Sequence, residues 1–479
     1  MYRTQSSVPA LAIVAALALG SCQERAPTEA RSRMLAASAA SLESTGRYVV
    51  VFSAERVPVD FAERVVALGG SIESRLDSIG VASVTGLSEG AAAELAGAAE
   101  VRAVEPDVAT APPNEDVGAD VATADDAVID LFAAADATAS PTTAQFYARQ
   151  WNMRAVFAPE AWAAGFLGSR DVVVAILDTG IDYTNPDLVG LVDLDRSISF
   201  VPEDVTRHYP GRLPFSDLFW HGTAAASIVA SNAKLVAGVN RYVTLLAVKV
   251  ADSTSTHTAG RLIRGIMYAA DQGADVINVS RGSQRDKSQS PGTVAAFERV
   301  VNYAFRKGAL VVSVPFNDAA DLDHNGDIVR LPCEAANAIC VSATGPTAAA
   351  GFNGPWENVD AIAPYSAFGR SAISVAAPGG IMAPPGYRTV WLPCTTTPTQ
   401  TTAQDCRTGK PLQRGVGTSW AAPTVAGLAA LLVSQLGHGK PGLIRERILQ
   451  TADDLGAPGT DPYYGKGRIN IARALGVIP

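Results

Sequence analysis

The chain has 479 residues, 48% of them apolar and 18% charged, with a formal net charge of -9. That length exceeds what one hydrophobic core usually supports, so two or more folding units are expected, and the apolar share excludes a disordered chain. The acidic balance, with no Lys/Arg cluster interleaved with aromatics, speaks against nucleic acid as a partner.

At the start, Arg3 precedes an apolar run from Val8 to Leu19. The run is too short to span a bilayer as a mature helix and suits the h-region of a signal peptide. It ends in Leu19-Gly20-Ser21-Cys22, which resembles a bacterial lipobox with Cys22 lipidated and becoming the mature N-terminus. The alternative is an ordinary secretory signal with an incidental cysteine. Residues 1–22 therefore read as a signal peptide, and export to the cell envelope or the medium is expected. Residues 23–46, rich in Ala, Ser and Arg and without strand pattern, read as a tether.

Next comes a patterned region. Arg47 to Phe52 reads as a strand, Asp60 to Leu68 as an amphipathic helix, Ile79 to Val84 as a strand, Ser88 to Ala98 as a helix and Val101 to Val104 as a strand. If Ser71 to Leu76 is also extended, the order is β-α-β-β-α-β, a small ferredoxin-like α+β domain over residues 47–109. Residues 110–144 carry Glu115, Asp116, Asp120, Asp125, Asp126, Asp130 and Asp136 with no Lys or Arg. An acidic, Ala/Thr-rich, Pro-marked stretch between two patterned regions is a linker.

From Gln145 to Pro479 apolar strands alternate with helices. Val172 to Leu177, Thr244 to Val250, Asp275 to Val279 and Ala309 to Val314 are strand candidates, and Ala259 to Gln272 and Thr293 to Lys307 are helices between them. Strands apolar on both faces belong to a parallel sheet covered on each side. The expected fold is α/β, a doubly wound, mostly parallel sheet flanked by helices, in a domain over residues 145–479.

Three short motifs in this domain carry chemistry. Asp178-Thr179-Gly180 follows the first strand, at the carboxyl end where sites gather in such sheets. His221-Gly222-Thr223 comes next, and Gly417-Thr418-Ser419-Trp420-Ala421-Ala422-Pro423 leads into an apolar helix from Ala421 to Gln435. A serine at a helix N-terminus has backbone N–H groups and the positive dipole end beside it, which favours an oxyanion. Singly, each residue has a plainer reading as a cap, a turn or an ordinary polar side chain. Together, acid, imidazole and hydroxyl are what nucleophilic acyl transfer requires.

On these residues the region 145–479 resembles the subtilisin family of serine peptidases. Asp-Thr-Gly-Ile-Asp at 178–182, His-Gly-Thr at 221–223 and Gly-Thr-Ser-x-Ala-Ala-Pro at 417–423 stand in the family's order. Gln150-Trp151-Asn152, the segment Ala158 to Trp162 and the segment Ser374 to Gly380 extend the likeness. The resemblance implies a secreted serine endopeptidase acting on proteins or peptides through an acyl-enzyme, with no cofactor for the chemistry. Ser419 would be the nucleophile, His221 the general base and acid, and Asp178 the residue that orients the imidazole. Asn317 stands where the family has its side-chain oxyanion donor.

Several residues depart from the family's pattern. Ser280-Arg281-Gly282 would pair with the substrate backbone, with Arg281 a bulky cation in place of an apolar wall. Pro315 and Phe316 replace small residues and are expected to narrow the pocket for the residue preceding the cut. Ala224 replaces a second histidine that lies outside the triad, so activity should survive.

The small domain resembles the family's inhibitor-type propeptide. It is expected to assist folding, to act as an intramolecular inhibitor through the tail Val104-Glu105-Pro106-Asp107, and then to be cut away. The alternative is a permanently attached substrate- or partner-binding domain. The mature enzyme is expected to be a monomer, with membrane anchoring through lipidated Cys22 unless a cut in the linker frees it. Two other functions were weighed. A pseudo-peptidase kept as a binding module is opposed by the intact triad. An ester-cleaving hydrolase is opposed by the missing second glycine of a Gly-x-Ser-x-Gly elbow and by the motif order.

Cys333 with Cys340 and Cys394 with Cys406 make two local disulfides the simplest pairing, suited to an oxidising compartment. Four cysteines allow three connectivities, and a four-thiolate metal site is disfavoured by the spacing. Asp321, Asp323, Asn325 and Asp327, with Gly326 at the turn, resemble a calcium loop and nominate a structural calcium. Pro332 stands where the bidentate acid belongs, so an acidic surface turn is the alternative. The loop Ser231 to Lys234 has few oxygen ligands, and no calcium is assigned there.

Overall fold

The computed structural model describes residues 46–111, 140–384, 386–397, 406 and 410–479. The signal peptide, Cys22, the tether and most of the acidic linker lie outside the described residues.

The first described unit follows the expected order: β1 (Tyr48–Phe52), α1 (Phe61–Ala67), β2 (Ser71–Leu76), β3 (Val81–Thr85), α2 (Glu89–Ala96) and β4 (Val101–Pro106). The four strands form an antiparallel sheet in the order β2-β3-β1-β4. All five residues of β1 are buried, because both faces of the sheet are covered. Tyr48, Val50 and Phe52 pack under the unit's own helices with Phe61, Val65, Ala92 and Leu95. Val49 and Val51 join Leu262, Ile266, Phe297 and Val300 of the larger domain. The strand expected from Ile79 starts at Val81 because residues 77–80 form a turn. Gly80 sits there at φ +58°, and a Cβ on it would meet the Ala54 carbonyl at 2.1 Å. A two-residue strand, β5 (Ala109–Thr110), ends the tail.

The larger domain is built on eight strands: β6 (Val173–Asp178), β7 (Ile198–Ser199), β8 (Thr244–Lys249), β10 (Val276–Val279), β12 (Leu310–Ser313), β14 (Ile339–Gly345), β15 (Ala361–Ile362) and β16 (Val375–Pro378). Short strands off this sheet include β9 (His257–Thr258), β11 (Ser283–Asp286) and β13 (Ile328–Leu331). The sheet runs β15-β14-β12-β10-β6-β8-β7, with β16 also on β14, and is parallel except for β15.

Side chains of β6 alternate between two cores. Val174 and Ile176 face α3 (His221–Val229) and α6 (Thr418–Leu436), while Val173, Ala175 and Leu177 face α4 (Ala259–Asp271) and α5 (Pro291–Arg306). Helix α6 is long and apolar enough to cross a membrane by composition, but 83% of its apolar window is buried, as suits a core helix. The chain runs from β6 to β8 on one side and then crosses to β10 on the other. The carboxyl end of β6, where Asp178 stands, is therefore a topological switch point, where open α/β sheets form their clefts.

The two local disulfides are present. Cys333 pairs with Cys340 and Cys394 with Cys406, at Cα separations of 4.7 and 5.3 Å.

Candidate active site

Asp178 is the last residue of β6 and His221 the first of α3. Their side chains are fully buried, with His221 Nδ1 2.8 Å from each Asp178 carboxylate oxygen. The local sequence explains the approach. Asp217 accepts from the backbone N–H groups of Phe219, Trp220 and Thr223, each at 2.9 Å, and so anchors the start of α3. Gly222 lets the helix close on the strand, since a Cβ there would lie 2.1 Å from the Gly180 carbonyl and 3.1 Å from Asp178 Cβ. With Nδ1–H donated to the carboxylate, Nε2 is the basic nitrogen. The rings of Trp420 and Trp220 flank the imidazole at centroid distances of 4.7 and 5.7 Å.

Burial alone would raise the Asp178 pKa. The charges of His221 and Arg281, with hydrogen bonds from His221 and the Thr179 N–H, overcome it and hold the carboxyl well below the usual carboxylate range. Asp178 is thus a carboxylate across the working pH range, as an orienting acid must be.

Ser419 lies in the first turn of α6, earlier in the helix than the expected start at Ala421. Its Oγ is 3.5 Å from the Ser280 carbonyl, and Ser280 Oγ donates to the Ser419 carbonyl at 3.0 Å. The helix-opening turn and the segment after β10 are thereby tied together. Asn317 Oδ1 accepts from both the N–H and the Oγ1 of Thr418, each at 2.9 Å. These donors fix the amide orientation and leave Nδ2 as the donor end. A first side-chain carbon at Gly417 would stand 3.4 Å from that Nδ2. Around the ends of β6, β10 and β12 and the starts of α3 and α6, these contacts pair Asp178 with His221, Ser419 with Ser280 and Asn317 with Thr418, and the Trp420 ring lies against the imidazole.

The walls differ from an open pocket. Phe316 adopts φ +81°, and its ring lies over Gly282, where an added Cβ would come within 2.5 Å of it. Arg330 stacks below that ring at 5.1 Å and pairs with Asp318 at 2.6 Å. The Arg281 backbone stands in the expected segment, but its side chain does not line a substrate wall. It turns inward, 4% exposed, with Nε and Nη2 each 3.2 Å from Asp178 Oδ1. A buried guanidinium requires an anionic partner, and Asp178 is the one within reach. His257 Nε2 donates to the Gly282 carbonyl at 2.9 Å. Burial, and then the Arg281 cation, push the pKa of His257 down to about 4, so it is neutral.

The residues nominated for calcium do not converge. Asp321 accepts from Asp323 N–H at 3.0 Å and meets His324 Nδ1 at 2.9 Å. Asp323 accepts from the N–H groups of Arg370 and Ser371 at 2.7 and 3.0 Å. Among the described residues no group of three or more His, Cys, Asp or Glu side chains stands where it could hold a metal ion. Protein donors satisfy the leading carboxylates of this turn, so the residues do not fit the nominated cation. In the loop 231–234, Asp187 accepts from the N–H groups of Lys234, Leu235 and Val236.

Sequence reasoning missed how the small domain's tail meets the larger domain. Glu105 accepts from Gly292 N–H at 2.6 Å and Thr293 N–H at 2.8 Å, at the start of α5. Asp107 accepts from Gly260 N–H at 2.9 Å and Thr258 Oγ1 at 2.7 Å, at the start of α4. Two carboxylates thus sit on two helix N-termini, where N–H groups and dipole favour them. Beyond them β5 pairs antiparallel with β9, Ala109 opposite Thr258 and Thr110 opposite His257. Only the acidic residue types and their spacing hinted at this.

Comparison with known proteins agrees with this geometry. Residues 169–467 match the subtilase family, Peptidase S8, and the chain belongs to that family. Thermitase from Thermoactinomyces vulgaris is 34% identical over 342 residues, covering 70% of this chain and 99% of thermitase. Subtilisin E from Bacillus subtilis (strain 168) is 30% identical over 327 residues, covering 68% and 70%. Among solved structures, a lanthipeptide protease superposes with a TM-score of 0.59 at 25% identity, covering 71% of this chain and 99% of that one. The epidermin leader peptide processing serine protease from Staphylococcus aureus shares the fold, with a TM-score of 0.69 at 20% identity over 90% and 98%. The chain is a serine endopeptidase.

Proposed function

We propose that this enzyme is exported and cleaves peptide bonds with Ser419 as nucleophile, His221 as general base and acid, and Asp178 as the orienting carboxylate. The observation that carries the reading is the buried Asp178–His221 pair, 2.8 Å apart, with the ring of Trp420, the residue after Ser419 in the first turn of α6, 4.7 Å from the imidazole between centroids. Ser419 Oγ attacks the scissile carbonyl while His221 Nε2 takes its proton. The oxyanion is held by Asn317 Nδ2 and by the N–H groups opening α6. His221 then returns the proton to the leaving amine, and a water repeats the sequence in reverse to release the acyl group. Extended substrate adds as a strand along residues 280–282, where main-chain hydrogen bonds supply affinity.

Cleavage of a casein-like substrate, blocked by a serine-directed inhibitor that labels Ser419, is the expected result. A Ser419→Ala chain that retains activity would refute the assignment. Persistent failure of labelling in the wild type would favour a binding module.

The small domain, residues 47–109, is the enzyme's own propeptide, expected to be removed by a cut within residues 110–144. The tail on α4, α5 and β9 supports this reading. The same cut would separate the catalytic domain from a lipid on Cys22, so N-terminal sequencing of the mature enzyme reports maturation and location together. A monomer acting in the cell envelope or outside it completes the proposal.

A further inference from the structure

Among the described residues, Arg281 is the charged side chain that contacts Asp178 besides His221, and nothing in peptide hydrolysis by an acid, a histidine and a serine calls for it. Its Nε and Nη2 reach the same Oδ1 that His221 Nδ1 contacts. Two nitrogen bases, one of them permanently cationic, therefore share one carboxylate that is fully buried. In such a site a charge acts over short distances with little screening by solvent.

We propose that Arg281 is a positioning residue that acts on the general base through Asp178, sharing the carboxylate so that His221 stays neutral and competent at lower pH than the acid alone would allow. The proposal rests on the triad reading above. A carboxylate favours the protonated imidazole beside it, and a guanidinium on that same carboxylate opposes the second positive charge.

The other charged and titratable groups around His221 are already committed. Asp217, ahead of α3, accepts from the N–H groups of that helix. Lys249, at the end of β8, donates to the Thr179 carbonyl and pairs with Asp204 at 3.1 Å. Asp182 pairs with Arg212 at 3.3 Å and accepts from Thr396. His257 is the neutral donor to Gly282. The first turn of α6 carries no acidic residue, and its Trp420 ring faces the imidazole. Of these groups, Arg281 is the cation in direct contact with the carboxylate that His221 uses.

The geometry also explains how the segment 280–282 keeps its shape with an arginine in it. Ser280 is tied to Ser419, Gly282 to His257, and Arg281 to Asp178. The side chains of Ser280 and Arg281 thus fasten the segment to Ser419 and Asp178, and the Gly282 carbonyl holds it to His257.

The test is kcat/KM against pH for the mature enzyme with Arg281→Gln, which removes the charge but keeps a donor, and Arg281→Lys, which keeps the charge but loses the fork. Arg281→Gln should move the acidic limb upward by about one pH unit or more, the size of shift that a contacting charge produces. Arg281→Lys should keep the limb of the wild type while lowering kcat. If both variants lower kcat and leave the limb in place, Arg281 serves packing alone and the proposal fails.

Should Arg281→Gln not mature, histidine NMR titration of full-length chains carrying Ser419→Ala, with and without Arg281→Gln, reads the same quantity without turnover. An unchanged His221 titration there would equally overturn the proposal. Activity in Ser419→Ala would instead overturn the triad reading itself, so the two failures are distinguishable.

Discussion

Asn317 is anchored by one end of its amide and presents the other. Thr418 supplies two donors to Oδ1, so the helix that carries Ser419 orients the Asn317 amide. In subtilisin, removal of such a donor lowers turnover by about 100- to 1000-fold, and Asn317→Leu is expected to lose activity on that order with little change in KM. Steady-state kinetics on one peptide would check it, and a mainly KM-based loss would contradict the role. Phe316 makes a second residue-scale case. Its positive φ is a conformation that L side chains adopt at a cost of about 1 kcal/mol or more, and its ring occupies the space over Gly282. Phe316→Gly should relieve that strain and open the pocket. A peptide series varying the residue before the cut should show kcat/KM rising for large side chains and staying level for small ones.

At the scale of elements, the fold brings helix N-termini to the places where negative charge is needed. α6 carries Ser419 in its first turn, where the proposed oxyanion would form, and α4 and α5 point their first turns at Asp107 and Glu105. Each carboxylate replaces water at N–H groups that have no partner within the helix. Loss of a helix cap costs about 0.5–2 kcal/mol, so Glu105→Ala should weaken retention of the cleaved small domain by roughly 2- to 30-fold.

Asp107 adds a pH dependence. Burial raises its pKa in the docked state, and the hydrogen bonds from Gly260 and Thr258 offset this only in part. A carboxyl with a higher pKa docked than free favours docking when protonated. Its contribution is complete below the free carboxyl's pKa and is lost as pH rises through the docked one. Release of the cleaved domain should therefore be faster at neutral than at mildly acidic pH, and Asp107→Asn should flatten that dependence. Gel filtration of the processed complex across pH would measure it.

For the whole molecule, the crossing of the chain from one side of β6 to the other puts Asp178 at the switch point of the sheet. The small domain covers α4 and α5 with one sheet face, and Arg299 of α5 donates to the small domain's carbonyls at Phe52 and Ile79. Self-processing predicts that the wild type loses the small domain while Ser419→Ala remains full length apart from signal removal. Intact-mass measurement of both proteins decides this, and identical full-length masses would rule self-processing out.

Much of this molecule was legible in its residues, because strand-end acids, helix-opening serines and apolar periodicity are local signals. The β-α-β-β-α-β order, the parallel sheet and the triad motifs all depend on neighbours a few positions apart. The nominated calcium turn misled because ligand spacing says nothing about competing donors, and Arg370 and Ser371 lie far along the chain from Asp323. The sequence by itself determined the family and the order in which the Asp178, His221 and Ser419 motifs stand. Only the tertiary structure decided that Arg281 turns into the triad, that Phe316 closes over Gly282 and that Glu105 and Asp107 cap two helices. Each of those depends on which distant segments the sheet order brings together, and on a buried charge taking the partner that lies nearest in space.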